Sequence, residues 1–243
     1  MDAAGRSQNK ALQDVRVRRA LSIAIDRKAI VDRVMEGAAV PAGQFLPEGV
    51  YTHVPSVTPP AFDPDAARRL LAEAGYPQGF RIQLNGPNDR YVNDARIIQA
   101  VGQMWTRIGV RTTVEAQPWT TFVGRAGRAD FSSHLIGWGS NPDGSHPLRN
   151  ILATVTREKG WGSSNRGRYS NPRLDALLDQ SLVELDEAKR VQLVIEAQRI
   201  AAEDVAVIPL HIQTNIWGMR RHLAHDARND ELTRAQDVRP AAR

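Results

Sequence analysis

Residues 80–116 read FRIQLNGPNDRYVNDARIIQAVGQMWTRIGVRTTVEA. Phe80 to Asn85 alternate in the two-residue period of a half-buried strand. Asn93 or Asp94 can cap a helix, because a short polar side chain accepts from an otherwise unpaired backbone N–H. Ile97, Ile98, Val101, Met104, Trp105 and Ile108 then fall on one helix face, and Gly109 suits the residue that closes it. Val110–Ala116 reads as the next strand. Strand, helix and strand in that order predict a parallel crossover, and therefore an α/β lobe.

The alternation continues downstream. A short helix is expected from about Trp119 to Arg128, and a strand around His134–Trp138. Residues 139–171 are rich in Gly, Ser, Asn and Pro and read as loop. Two helices follow, Pro172 to about Leu185 and Glu187 to about Ala202, the second capped by Asp186. Ala206–Trp217 reads as a strand with Pro209 at an edge position. From Arg220 onward the chain is charged and has no apolar periodicity.

Upstream, VRVRRALSIAIDRKAIVDRVME (residues 15–36) reads as one amphipathic helix with Val17, Leu21, Ala24, Ile25, Val31 and Val34 on the inner face. In it Asp26 and Arg27 read as a helix-surface ion pair or an interlobe contact. Residues 37–60 hold five prolines and read as a long loop. Asp63 at the N-cap, Pro64 in the first turn and Gly75 at the end then bound a helix carrying Leu70, Leu71 and Ala74.

Composition narrows the function classes. With 243 residues the chain can bury a substantial core. There is no cysteine, which excludes disulfides, thiolate nucleophiles and Cys-based metal sites. No run of eighteen apolar residues is present, and the opening MDAAGRS holds no apolar signal-peptide region, so no signal peptide is expected within this chain. The formal charge of +5 comes from scattered arginines, not from a basic stripe interleaved with aromatics, so nucleic acid is not an expected partner. GxSxG, HExxH, the phosphate-binding GxxxxGK[ST] and GxGxxG are all absent, and the carboxylates Glu184, Asp186 and Glu187 are explained by capping, so no enzyme is expected. Of the six histidines only His222 and His225 lie close together, in the charged tail, where a surface role is the better reading; neither a metal site nor a cofactor is expected.

Seven segments carry a resemblance in a fixed order. They are VRRALSIAIDR (17–27), FDPDAARRLLAEAGYPQGF (62–80), the helix ending at Trp105 with Ile108-Gly109-Val110, and Ile136-Gly137-Trp138. NRGRYSNPRLDALL (165–178), LDEAKR (185–190) and DVAVIPLHIQTNIW (204–217) follow. Together they resemble the family 5 extracellular solute-binding proteins of ABC importers, the peptide- and nickel-type binding proteins. The resemblance implies a two-lobed periplasmic protein that closes over its ligand and hands it to the transmembrane subunits of an ABC permease. This sequence is then similar to the C-terminal lobe, a mixed sheet flanked by helices in an α/β fold. Residues 1–14 would be a hinge or leader, 15–213 the ligand-binding lobe, and 214–243 a tail returning to an N-terminal lobe that the chain lacks.

The same resemblance implies where a peptide or similar small solute would touch. Arg90 matches the position that grips a ligand carboxylate; a solvated loop arginine is the alternative. Trp119 matches an aromatic that packs on the ligand, or else belongs to the core. Trp138 ends a strand and is expected to point into the cleft. The acidic position that pairs with a peptide's amino group falls on Asn141, which lacks the charge. Asp143, two residues on, either replaces it or serves a turn beside Pro142 and Gly144. A stand-alone lobe acting as a structural, self-associating domain is the competing reading.

Overall fold

Asp26 divides what the apolar pattern presents as one helix. The structure, a computed structural model, describes residues 9–139, 144–228 and 230–241. Helix α1 (Val15–Ile23) stops at Ala24, and α2 (Arg27–Ala29) begins again with the Asp26 carboxylate accepting the Ala29 N–H at 2.9 Å. A π-helical turn, Ile30–Val34, completes the segment. An aspartate that can cap locally competes with helix continuation, so the capped break wins over the expected single helix. The apolar set nevertheless stays inside: Val17, Leu21, Ala24, Ile25 and Val31 are buried, and Val34 is half-buried.

The parallel crossover is present. Strand β2 (Arg81–Pro87) pairs with β3 (Arg111–Gln117) from Arg81↔Arg111 to Pro87↔Gln117, and α4 (Asp94–Arg107) connects them. Ile97, Ile98, Val101 and Trp105 of α4 are buried, each removing side chain from water for about 1.5–3 kcal/mol. The Trp105 Nε1–H donates to the Leu21 carbonyl at 3.0 Å, tying α4 to α1. At Gly102 the helix lies so close to β3 that a Cβ would sit 2.4 Å from Val114 Cγ2. Helix α3 (Pro64–Glu73) lies against α1, its N-terminus capped by Asp63, which accepts from the Ala66 N–H at 2.7 Å.

Strand β4 is shorter than expected, Ser133–His134, because the chain leaves the sheet after the Leu135 N–H bonds the Asn85 carbonyl at 2.8 Å. It pairs with the other edge of β2, so the order is β3-β2-β4, all parallel. Connections that run to opposite sides of β2 place α4 on one face and α5 (Trp119–Gly127) on the other.

The remaining departures lie in segments whose structure composition does not show. Residues 37–60, read as loop, contain β1 (Ala39–Pro41), which pairs antiparallel with β5 (His211–Gln213). The expected strand 206–217 contracts to β5, since Pro209 has no N–H and its carbonyl is taken by Arg27 Nε at 2.8 Å. The 139–171 stretch contains α6 (Ser145–Ile151). Helices α7 (Pro172–Val183) and α8 (Glu187–Glu203) form as expected, with Asn171 and Asp186 as caps. The charged tail closes into a ribbon of β6 (Leu223–His225) and β7 (Val238–Pro240), supported by an Arg239–Asp226 ion pair at 2.7 Å.

Two large apolar clusters result, beside a small one of Phe122, Ala126 and Phe131. One joins α1, α3, α4 and the parallel sheet; the other joins α6, α7 and α8 around Leu148, Leu152, Leu174, Leu178, Val194 and Ala197. The chain returning from α8 runs between them and is fastened by two buried arginines. Arg18 donates to the Leu12, Gln13 and Asp204 carbonyls. Arg27 donates to the Ser22 carbonyl and hydroxyl as well as to Pro209. Arg27 is therefore an internal clamp, not half of a surface ion pair, and its burial pulls the guanidinium down to about 10.

Candidate functional site

The carboxyl edge of the parallel sheet is where an α/β fold leaves a crevice, because neighbouring connections diverge there. Three loops emerge at this edge: residues 88–93 after β2, Pro118-Trp119 after β3, and 135–139 after β4. Opposite them stand loop 164–169 and the returning chain 206–217. Between the two sides lies a cleft of about 730 Å³, within the range of small-molecule sites. Both apolar clusters contribute wall residues, Trp105 and Leu84 from one and Leu152 and Tyr169 from the other.

Asp94 shapes the β2 loop. Its Oδ2 accepts from the Arg90 and Tyr91 N–H groups at 3.0 Å each, folding the loop over the start of α4. Asn93, the other candidate cap, sits in the left-handed region at φ +57° and makes no cap bond. The loop presents Arg90, whose guanidinium carbon lies 5.3 Å from the Trp119 ring centre and 5.7 Å from that of Tyr91. Cation–π contact of this kind holds a guanidinium in place while leaving its N–H donors free for a ligand.

Arg90 and Trp138 both line the cleft. Trp138 is 37% exposed, and its ring lies 6.1 Å from that of His146. Trp119 takes a supporting place. It is half-buried, stacks on Phe122 at 5.7 Å, holds Arg90 from the side away from the cleft, and donates its N–H to Asp89 Oδ1 at 2.7 Å. Asn141 and Asp143 lie outside the described residues.

Three further residues shape the site. Tyr91 lies against Gly137, where an added Cβ would come within 2.7 Å of the tyrosine ring, so a glycine is what lets the two loops meet. Arg166 lines the cleft on a loop that Asn165 pins: Asn165 Nδ2 donates to the Ala153 and Tyr169 carbonyls at 2.9 and 2.7 Å, and its Oδ1 accepts from the Tyr169 N–H at 3.0 Å. His134 sits beside Phe122 and Phe131 with Nδ1 buried and without a partner; burial, with the Arg166 charge adding to it, pushes the imidazole down to about 3. Gly137 was visible within the Gly-Trp segment, whereas Tyr91 and Arg166 carry no periodic or motif signal and depend on loops that only the fold brings together.

Among the described residues no group of three or more His, Asp or Glu side chains could hold a metal ion, and no helix is long and apolar enough to cross a membrane. His225 packs its ring on Trp217 at 5.5 Å.

This is the fold of an α/β lobe with a crevice at the carboxyl edge of its parallel sheet. The description "Bacterial extracellular solute-binding proteins, family 5 Middle" matches residues 4–159, and the chain belongs to that family. It is 30% identical over 213 residues to the heme-binding protein A of Haemophilus influenzae, covering 84% of this chain and 37% of that protein. It is also 30% identical over 220 residues to the dipeptide-binding protein of Escherichia coli, covering 89% of this chain and 41% of that protein. The structure of HbpA2 from Haemophilus parasuis superposes with a TM-score of 0.82 at 24% identity, over 97% of this chain and 46% of that one. The fold is that of one lobe of a two-lobed periplasmic binding protein, and the chain spans about two-fifths of the length of the curated relatives it matches.

Proposed function

We propose that the chain is the solute-contacting lobe of an ABC-importer binding protein, which captures a peptide or similar small solute in the periplasm and delivers it to the membrane permease. The carrying observation is the cleft itself, with Arg90 braced on two aromatic rings at one wall and Trp138 open to solvent beside it. A braced guanidinium can receive a carboxylate through two parallel hydrogen bonds, and the indole supplies an apolar face. Trp119 acts through Arg90, and Asn141 and Asp143 belong to the same proposal as candidates for the ligand's amino end. Capture would proceed by closure of a second lobe over this cleft, with no covalent chemistry.

In this reading residues 1–14 approach the hinge, 15–213 form the lobe, and 214–243 return to the partner lobe. The separate tail ribbon, β6 with β7, supports that division. Val40 and Ile216 are 55% and 75% exposed at and just beyond the β1–β5 ribbon, which suits a face covered by the second lobe. The same face would suit a second copy of the chain, and size-exclusion chromatography across protein concentrations separates the two, since only self-association shifts with concentration.

A thermal-shift screen against di- and tripeptides, nickel complexes and opines tests the function. A bound class raises the melting temperature by mass action, by an amount that grows with ligand concentration. The shift is expected to shrink strongly in Arg90→Ala and Trp138→Ala. No shift with any class, or an equal shift in both variants, would refute this assignment of the site.

A further inference from the structure

Three arginines line the cleft among the described residues: Arg90, Arg166 and Arg228. Arg228 is neutralised within the tail, where its Nε donates to Asp230 at 2.8 Å and its Nη1 lies 3.2 Å from Asp237. Arg90 rests on the rings of Tyr91 and Trp119. Arg166 has neither kind of support. Among the described residues no carboxylate lies within ion-pair distance of it, no ring sits beneath it, and its Nη1 is shielded from solvent without an acceptor. Burial pulls this guanidinium down. Taking a guanidinium out of water without an acceptor is unfavourable, and a fold keeps such an arrangement only when surrounding structure enforces it.

The surrounding structure does enforce it. Buried Asn165 spends all three of its hydrogen bonds on the loop that displays Arg166, and the Arg166 N–H closes the turn on the Ser164 carbonyl at 2.9 Å. Tyr91 relates the two unpaired cations. Arg90 lies over its ring, while its phenol stands within electrostatic reach of Arg166 and reaches the Gly137 carbonyl at 3.4 Å. The cleft thus holds two positive charges without a carboxylate partner among the described residues, both within reach of Tyr91. Glu231 is the one carboxylate among its described lining residues.

We propose that the cleft selects solutes carrying two carboxylates, one received by Arg90 and the second by Arg166, with Tyr91 between them. This rests on the solute-binding reading and sharpens it: a peptide with an acidic side chain, or a similar dicarboxylic solute, fits where a peptide with a neutral side chain leaves Arg166 unpaired. Charge-assisted bonds to a fixed, partly desolvated guanidinium discriminate strongly, because the wrong ligand leaves the site's own charge unsatisfied.

The test uses two peptides that differ by one charge, Ala-Glu and Ala-Gln, titrated calorimetrically into the protein. Wild type is expected to bind Ala-Glu at least tenfold more tightly. Arg166→Gln brings the two affinities together chiefly by weakening Ala-Glu, Arg166→Lys keeps part of the preference, and Arg90→Gln weakens both peptides alike. Wild type alone already decides the matter if Arg166→Gln does not fold. Binding of Ala-Gln and Ala-Glu with equal affinity overturns the two-carboxylate assignment and leaves the solute cleft standing. Retention of the Glu preference in a folded Arg166→Gln protein likewise overturns the role of Arg166. Failure of wild type to bind any small solute overturns the cleft reading, and the present inference with it.

Discussion

Replacing His134 by leucine should remove a defined part of this protein's acid sensitivity. The imidazole lies beside Phe122 and Phe131, ring centres 6.1 Å from each, with Nδ1 buried and without a partner. Burial holds its folded pKa at about 3 against an ordinary 6.5. Between those values the unfolded chain carries a proton on this residue and the folded chain does not, so lowering the pH favours unfolding. Each pH unit is worth about 1.4 kcal/mol, which gives about 2.7 kcal/mol lost at pH 4.5 relative to pH 7.5 and roughly 4.8 kcal/mol below pH 3. Urea denaturation followed by tryptophan fluorescence at pH 7.5, 6.5, 5.5 and 4.5, on wild type and His134→Leu, isolates the effect. Other titrating groups contribute equally to both proteins, so the difference curve reports His134 alone. Wild type should lose about 2.7 kcal/mol more than the variant by pH 4.5. A flat difference curve, or one of opposite sign, would refute the claim that this imidazole is held neutral in the folded state.

Arg27→Ala removes the partners of the Pro209 carbonyl and the Ser22 hydroxyl and opens a gap between α2 and the returning chain, so it should destabilise by about 2–4 kcal/mol in urea denaturation; a change within 0.5 kcal/mol would contradict the clamp. Gly137→Ala puts a methyl within 2.7 Å of the Tyr91 ring. It should cost about 1–3 kcal/mol and alter the near-UV circular dichroism as the ring moves. An unchanged spectrum and stability would show that the two loops do not meet as described. Trp105→Phe deletes the bond to the Leu21 carbonyl, and a loss of about 1–2 kcal/mol is expected, checked by the urea midpoint.

Where one segment's own pattern decides its structure, the sequence was a sufficient guide. The α4 stripe of Ile97, Ile98, Val101 and Trp105, the caps at Asp63 and Asp186, and the crossover from β2 to β3 follow from periodicity and local hydrogen-bonding chemistry, and all are present. The errors fall where a distant partner decides. Arg27 carries the same charge whether it is solvated or buried, and only the arrival of Pro209 from the far end of the chain makes it a clamp. Residues 39–41 and 211–213 become strands because each supplies the other's ladder, which neither sequence announces.

The site divides along the same line. Arg90 and Trp138 could be placed through a family pattern anchored at the ends of β2 and β4, positions that the sheet fixes. Arg166 could not, because its meaning is relational. In the sequence it is one arginine among many in a Gly- and Ser-rich stretch. It becomes informative only when Asn165 fixes its loop, Tyr91 comes within reach, and no described carboxylate is found to pair with it. A free cation held in position on a cleft wall is a property of the assembled fold. For that reason the proposed second carboxylate of the ligand rests on the unpaired side chains of the cleft and not on the family pattern, which reaches Arg90 but not Arg166.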